Sequence, residues 1–180
     1  MGMDELTGTI QNIIKPGKGI LAADESVPTI TKRFQALNIE STEESRRAYR
    51  TLLFTTKGAE EFLSGVILFE ETLKQKSAAG VPLPTLLTAQ GMVPGIKVDK
   101  GTVPLPRFPG DKLTQGLDGL ADRLTEYKKL GARFAKWRAV IRVSEQLPSD
   151  TCLWVNAHAL ARGARRLRVP ERSQARERRG

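Results

Sequence analysis

The chain opens with apolar residues at Leu6, Ile10, Ile13 and Ile14, the spacing of one helical face. This predicts a helix over 4–14, stopped by Pro16-Gly17. GILAADES (19–26) is different in kind: a short apolar run that ends in three polar residues, as strands covered on both faces do. Residues 29–37 return to helical spacing, with Asn38 as the stop. Ser41-Thr42-Glu43-Glu44 reads as a capping box, a hydroxyl and a glutamate three residues on satisfying two free amides, and predicts a helix over 42–54. GVILFEETL (65–73) and MVPGIKVDK (92–100) are predicted as the second and third strands. Leu117, Leu120, Leu124 and Tyr127 form the stripe of a helix over 117–130, with Gly131 at its end. RFAKWRAVIRV (133–143) is predicted as the fourth strand and 151–162 as the last helix. Strands that mostly alternate with helices predict a parallel α/β architecture. Right-handed crossovers allow a barrel or an open sheet, and periodicity does not choose between them.

Composition narrows this only at the tail. A hydrophobic fraction of 39% in 180 residues supports one domain with a real core. The net charge of +9 is uneven: 162–180 hold eight Arg and two Glu, +6, and leave +3 for all the rest. A basic patch for nucleic acid is therefore not a property of the domain. The segment 163–180 has no helical period beyond its first turn and is expected to be disordered. One cysteine, Cys152, excludes an internal disulfide and points to a reducing cytoplasm. With His158 the single histidine, zinc is not expected. No run is long enough to span a membrane, and the acidic start lacks the basic region of a signal peptide.

Candidate chemistry gathers at the predicted strand ends. On the fourth strand Lys136 and Arg138 are two apart and share a face, which is costly to bury unless an anion meets them. The alternative is an edge strand with a solvated basic face. On the third, Lys97 and Asp99 share a face; such a pair taken alone is more often an ion pair. The first strand ends in Asp24-Glu25-Ser26, and parallel sheets place ligands at their strands' carboxyl ends. Ser26 or Thr29 as a cap of the next helix is the competing reading, compatible with a phosphate site, to which Arg33 adds a cation. Asp24, Lys97, Lys136 and Arg138 together make an anion site containing a carboxylate, able to polarise a carbonyl, move protons or hold phosphate.

GKGILAADES, GVILFEETL, GIKVDKGTVPL, TQGLDGL and FAKWRAV, in this order and spacing, resemble the strand and loop motifs of class I fructose-bisphosphate aldolases over about 14–162. Two places depart from that family: Glu70-Glu71 stands where many relatives have a His-Glu pair, and Val27-Pro28-Thr29 replaces a small-residue stretch. The resemblance implies a (β/α)8 barrel of which about the first four strands are present. It implies cleavage of fructose 1,6-bisphosphate to glyceraldehyde 3-phosphate and dihydroxyacetone phosphate through a lysine Schiff base, with no cofactor and no metal. It gives catalytic roles to Asp24, beside the Schiff base, and to Lys136, in carbinolamine chemistry. Ser26, Thr29, Arg33, Lys97 and Arg138 become substrate ligands. The implied partner is a sugar phosphate, with homo-oligomers among full-length members and neither nucleic acid nor membrane.

The likeness is expected to stop at Gly163, giving a half-barrel over 1–162 and a basic tail over 163–180. No VEPE-like or LLKPN-like segment follows, so the Schiff-base lysine and paired glutamates are expected to be absent and the chain inactive alone. The tail's Arg, Gly, Ala and Pro content matches an out-of-frame reading of GC-rich DNA, so a frameshift near codon 162 is expected. The alternative is a genuine basic extension on a non-catalytic half-barrel that binds RNA or anionic lipid.

Overall fold

The structure, a computed structural model, describes residues 3–167. In chain order the elements are α1 (Met3–Ile13), β1 (Gly19–Ala23), α2 (Val27–Gln35), α3 (Glu43–Thr55), α4 (Ala59–Phe62), β2 (Leu63–Leu68), α5 (Glu70–Lys74) and α6 (Leu83–Ala89). They continue with β3 (Val93–Lys97), β4 (Thr102–Pro104), β5 (Lys112–Thr114), α7 (Leu120–Lys129), β6 (Phe134–Lys136) and α8 (Asp150–Leu167). The described chain divides into two compact units: 9–98 with 125–136, and 3–8 with 99–124 and 137–167.

The first unit holds a parallel sheet in the order β1-β2-β3-β6. Register assigns its two faces. Ala23, Leu68, Ile96 and Ala135 lie side by side, as do Leu21, Val66 and Pro94. Of these, Ala23, Val66, Leu68 and Ile96 are buried, as are Ile30, Phe34, Phe54, Leu73, Leu83 and Leu87 of the surrounding helices. This is the side the helices cover. Burying a leucine or phenylalanine here contributes about 1.5–3 kcal/mol each. The opposite face carries Ala22, Ile67, Gly95 and Phe134 in register. A Cβ on Gly95 would lie 2.3 Å from the Phe134 ring, so only glycine admits that ring here. Ser64 ties the strand starts together, donating to Ile13 O at 2.6 Å or Gly19 O at 3.1 Å.

The second unit joins the antiparallel pair β4-β5 to α8. Asn156 Nδ2 donates to Lys112 O at 2.9 Å, and the Arg166 guanidinium donates to Leu117 O.

Several expectations need correction. The second strand ends at Leu68, because Glu70–Lys74 turn into a helix. The third ends at Lys97 and the fourth at Lys136, so residues 137–143 are not strand. The alternation in 133–143 is real, but only three of those residues have a β3 neighbour to pair with. The capping box sits one residue later than expected: Thr42 Oγ1 accepts from Ser45 N, and Ser45 Oγ accepts from Thr42 N, each at 3.0 Å. Glu44 instead pairs with Arg47. The last helix runs on to Leu167, with Gly163 buried on the stripe of Cys152, Asn156 and Ala159. Residues 163–167 are thus helical rather than tail, and the disorder expected from 168 onward lies outside the described residues.

Candidate active site

Alternation along β1 puts Asp24, the residue after its end, on the face of Ala22. Lys97 and Lys136 are register partners on that same face. Three residues from three strands therefore stand at the carboxyl ends of one sheet face. Lys136 Nζ donates to Asp24 Oδ2 at 2.6 Å, with the Asp24 side chain only 10% exposed. β1 and β6 are the two edges of this sheet, three strand spacings apart. In a flat sheet that is ~14 Å. A side-chain contact across it requires the sheet to curl, as barrel strands do.

Glu25 anchors the segment that carries Asp24. Arg50 Nη1 donates to Glu25 Oε2 at 2.5 Å and Nη2 to Glu25 O at 3.3 Å. The Arg33 guanidinium also pairs with Glu25. Burial pushes the Glu25 carboxyl up, but the Arg50 hydrogen bond and the nearby cations outweigh it and hold it below the usual carboxylate range. Arg50 is 2% exposed, and its guanidinium also lies 5.4 Å from the Tyr49 ring centre. Sequence reasoning missed this residue. The signal was its position four before the core residue Phe54, which aims a charge at the buried face of α3.

Ser26 is the N-cap of α2, and its Oγ lies 3.1 Å from Thr29 Oγ1. Arg33, expected as a phosphate ligand, is bound to Glu25. Arg138 belongs to the second unit, is exposed, and stands two residues past β6, so a shared strand face with Lys136 no longer supports its role. Its carbonyl accepts from the Thr114 hydroxyl at 2.8 Å. Asp99 likewise lies beyond β3, where its carboxylate accepts from Gly101 N at 3.1 Å. The Glu70-Glu71 pair serves the framework: Glu71 takes a two-pronged contact from Arg46 at 2.6 and 2.9 Å, and Glu70 pairs with Lys74. Among the described residues no group of acidic, histidine and cysteine side chains could hold a metal ion, and no helix is long and apolar enough to cross a membrane.

A parallel, curled sheet with a carboxylate and two lysines at its strands' carboxyl ends is the architecture of part of a (β/α)8 barrel. The comparisons make that class specific. Residues 5–168 match the family described as fructose-bisphosphate aldolase class-I. A probable fructose-bisphosphate aldolase class 1 of Xanthomonas axonopodis pv. citri is 56% identical over 164 residues, 91% of this chain and 49% of its own. Fructose-bisphosphate aldolase 6, cytosolic, of Arabidopsis thaliana is 56% identical over 161 residues, covering 89% and 45%. The solved fructose-bisphosphate aldolase of Plasmodium falciparum, in complex with TRAP and a small molecule inhibitor, superposes with a TM-score of 0.88 at 53% identity, over 91% of this chain and 48% of that one. The chain belongs to the class I fructose-bisphosphate aldolase family. It spans about half the length of the relatives it matches, and the match continues to residue 168, past the expected end at 162.

Proposed function

We propose that these residues form the first half of a class I aldolase site that acts on fructose 1,6-bisphosphate, giving glyceraldehyde 3-phosphate and dihydroxyacetone phosphate. The observation that carries this reading is the 2.6 Å contact between Lys136 and Asp24 at the strand ends, with Lys97 beside it in register. In a Schiff-base aldolase an amine attacks the substrate ketone and loses water to form an iminium. The C4 hydroxyl then gives up its proton as the C3–C4 bond breaks, and that bond's electrons pass to the iminium as an enamine. The Lys136 ammonium is suited to donating a proton to the departing carbinolamine hydroxyl, with the Asp24 carboxylate holding it in place and taking part in the relay. Lys97 and the Ser26–Thr29 hydroxyls bind sugar hydroxyl and phosphate. Arg33 joins them when phosphate competes with Glu25 for its guanidinium. By the family resemblance the imine-forming lysine lies on a strand outside the matched residues 5–168, so the role of this half of the site is to bind and position the substrate. The names of its plant relatives support a cytoplasmic setting.

Calorimetric titration of the 180-residue chain with fructose 1,6-bisphosphate tests the proposal. Binding should be detectable and at least tenfold weaker in Lys136→Met, the loss of one charge-assisted contact of ~1.5–3 kcal/mol. Affinity unchanged by that substitution would refute it. So would tight RNA binding that weakens steeply with salt, which would favour a basic binding protein.

A further inference from the structure

We infer that Glu25 sets how tightly the start of α2 holds a phosphate ester, by storing the Arg33 guanidinium until phosphate takes it. Arg50 is the buried cation that makes the exchange possible. The inference rests on the proposed reading of Ser26, Thr29 and Arg33 as phosphate ligands.

The three side chains are unequal. Glu25, with a side chain 10% exposed, meets Arg33 through Oε1 and Arg50 through Oε2. The Arg50 side chain is 3% exposed and donates a second bond, from Nη2 to Glu25 O at 3.3 Å. The Arg33 side chain is 58% exposed. An exposed ion pair is worth little and exchanges readily, whereas a buried one is costly to break. A dianionic phosphate offers a guanidinium more charge and more acceptor oxygens than a carboxylate does. Arg33 can therefore leave while Arg50 stays. Because Arg50 stays, the departure strands no buried charge on Glu25, and the segment that carries Asp24 keeps its anchor.

Arg33 has little distance to travel. Side chains on a helix lean toward its N-terminus. Arg33 stands in the last turn of α2, yet its guanidinium already reaches back to Glu25, one residue before the N-cap Ser26. Thr29 lies one turn before Arg33, and its Oγ1 is 3.1 Å from Ser26 Oγ. The Ser26 side chain makes no bond to the helix amides. The stored guanidinium thus waits at the end of α2 where the two hydroxyls stand. The Glu25 carboxyl lies below its ordinary range and is ionised at neutral pH, so phosphate has a charge to displace. The sign of each substitution follows. Without the Glu25 charge, Arg33 has no carboxylate to leave, and phosphate binds more tightly. Without Arg50, Arg33 is the cation that remains on a mostly buried carboxylate. Its release then leaves that charge uncompensated, and phosphate binds more weakly.

Titration of the 180-residue chain with inorganic phosphate, followed in nitrogen-15 spectra of the arginine Nε–H groups, tests this. In the unmodified chain phosphate should shift the Arg33 signal and leave the Arg50 signal in place. Glu25→Gln should bind phosphate about two- to fivefold more tightly, the fold-change of an exposed ion pair. Arg50→Met should bind it at least about fivefold more weakly, and Arg50→Lys should recover part of that loss. In Arg33→Met the gain from Glu25→Gln should vanish. Mere loss of structure would weaken both variants alike. Losses in both Glu25→Gln and Arg50→Met, a gain that persists without Arg33, or an Arg33 signal that phosphate does not move would each overturn the inference. The last of these needs no variant to fold. Fructose 1,6-bisphosphate separates the two readings. If it binds equally well to the unmodified chain and to Glu25→Gln, this inference fails and the proposed function stands. If it does not bind although inorganic phosphate gives the full pattern, the inference stands and the proposed function fails.

Discussion

Replacing Arg50 by Met leaves Glu25 without its buried partner and tests whether that pair fixes the start of the site. Glu25 has a side chain 10% exposed and retains one cation, Arg33, which is itself 58% exposed. Removing one member of a buried pair costs ~3–5 kcal/mol when nothing replaces it. With Arg33 still present and methionine filling most of the space, about 2–3 kcal/mol is expected. Hydrogen exchange of α3 amides reads this directly and avoids averaging over the two units. A loss of that size is a fall in protection of about 30–150-fold, since 1.4 kcal/mol is a factor of ten. The pH dependence has a definite sign. The folded Glu25 carboxyl lies below its ordinary value of 4.5, so its contribution is fully present above that value. It is lost as pH falls through the lower, folded value. In Arg50→Met the folded value moves up, so the acid loss should shrink and begin at higher pH. A cycle with Glu25→Gln should show strong coupling. Protection changed by less than threefold, or two substitutions whose effects simply add, would refute this reading.

Other substitutions probe the framework. Gly95→Ala should cost about 1–3 kcal/mol by driving a methyl into the Phe134 ring, and Phe134→Leu in the same chain should recover much of it; a stable single variant contradicts the packing described. Ser149→Ala should destabilise α8 by about 1–2 kcal/mol, because Ser149 Oγ accepts from Cys152 N at 3.1 Å and donates to Asp111 Oδ2 at 2.6 Å; an unchanged urea midpoint would count against the cap. Burial pushes the Cys152 thiol up, so a thiol reagent at pH 8 should leave it unmodified until urea unfolds the chain, and rapid labelling of the native protein would show the site open.

Much of this was legible in the sequence, and the failures have physical causes. β1, β2 and β3 were visible as apolar runs because one side of each is packed under helices. Asp24 was visible because its strand stops in three polar residues. Arg138 was assigned through an alternation that continues for ten residues, whereas pairing is set by the partner, and β3 ends at Lys97. The short helix α6 went unread because prolines 82 and 84 look like breakers, although Pro84 occupies the first turn, where its missing N–H costs nothing. The β4-β5 hairpin hid behind its turn-rich PRFPG connection. Arg33 seemed available for phosphate because sequence spacing does not show that Glu25, eight residues earlier, folds back onto it.

The most direct test of the aldolase assignment is to join residues 5–168 of this chain to the second half of the Xanthomonas relative and measure fructose 1,6-bisphosphate cleavage. The joined protein should turn over. Borohydride trapping should place the covalent adduct in the relative's half, and Lys136→Ala should reduce kcat by 10²-fold or more, as removal of a positioned proton donor does. A soluble, folded chimera without cleavage, or one whose turnover survives Lys136→Ala, would contradict it.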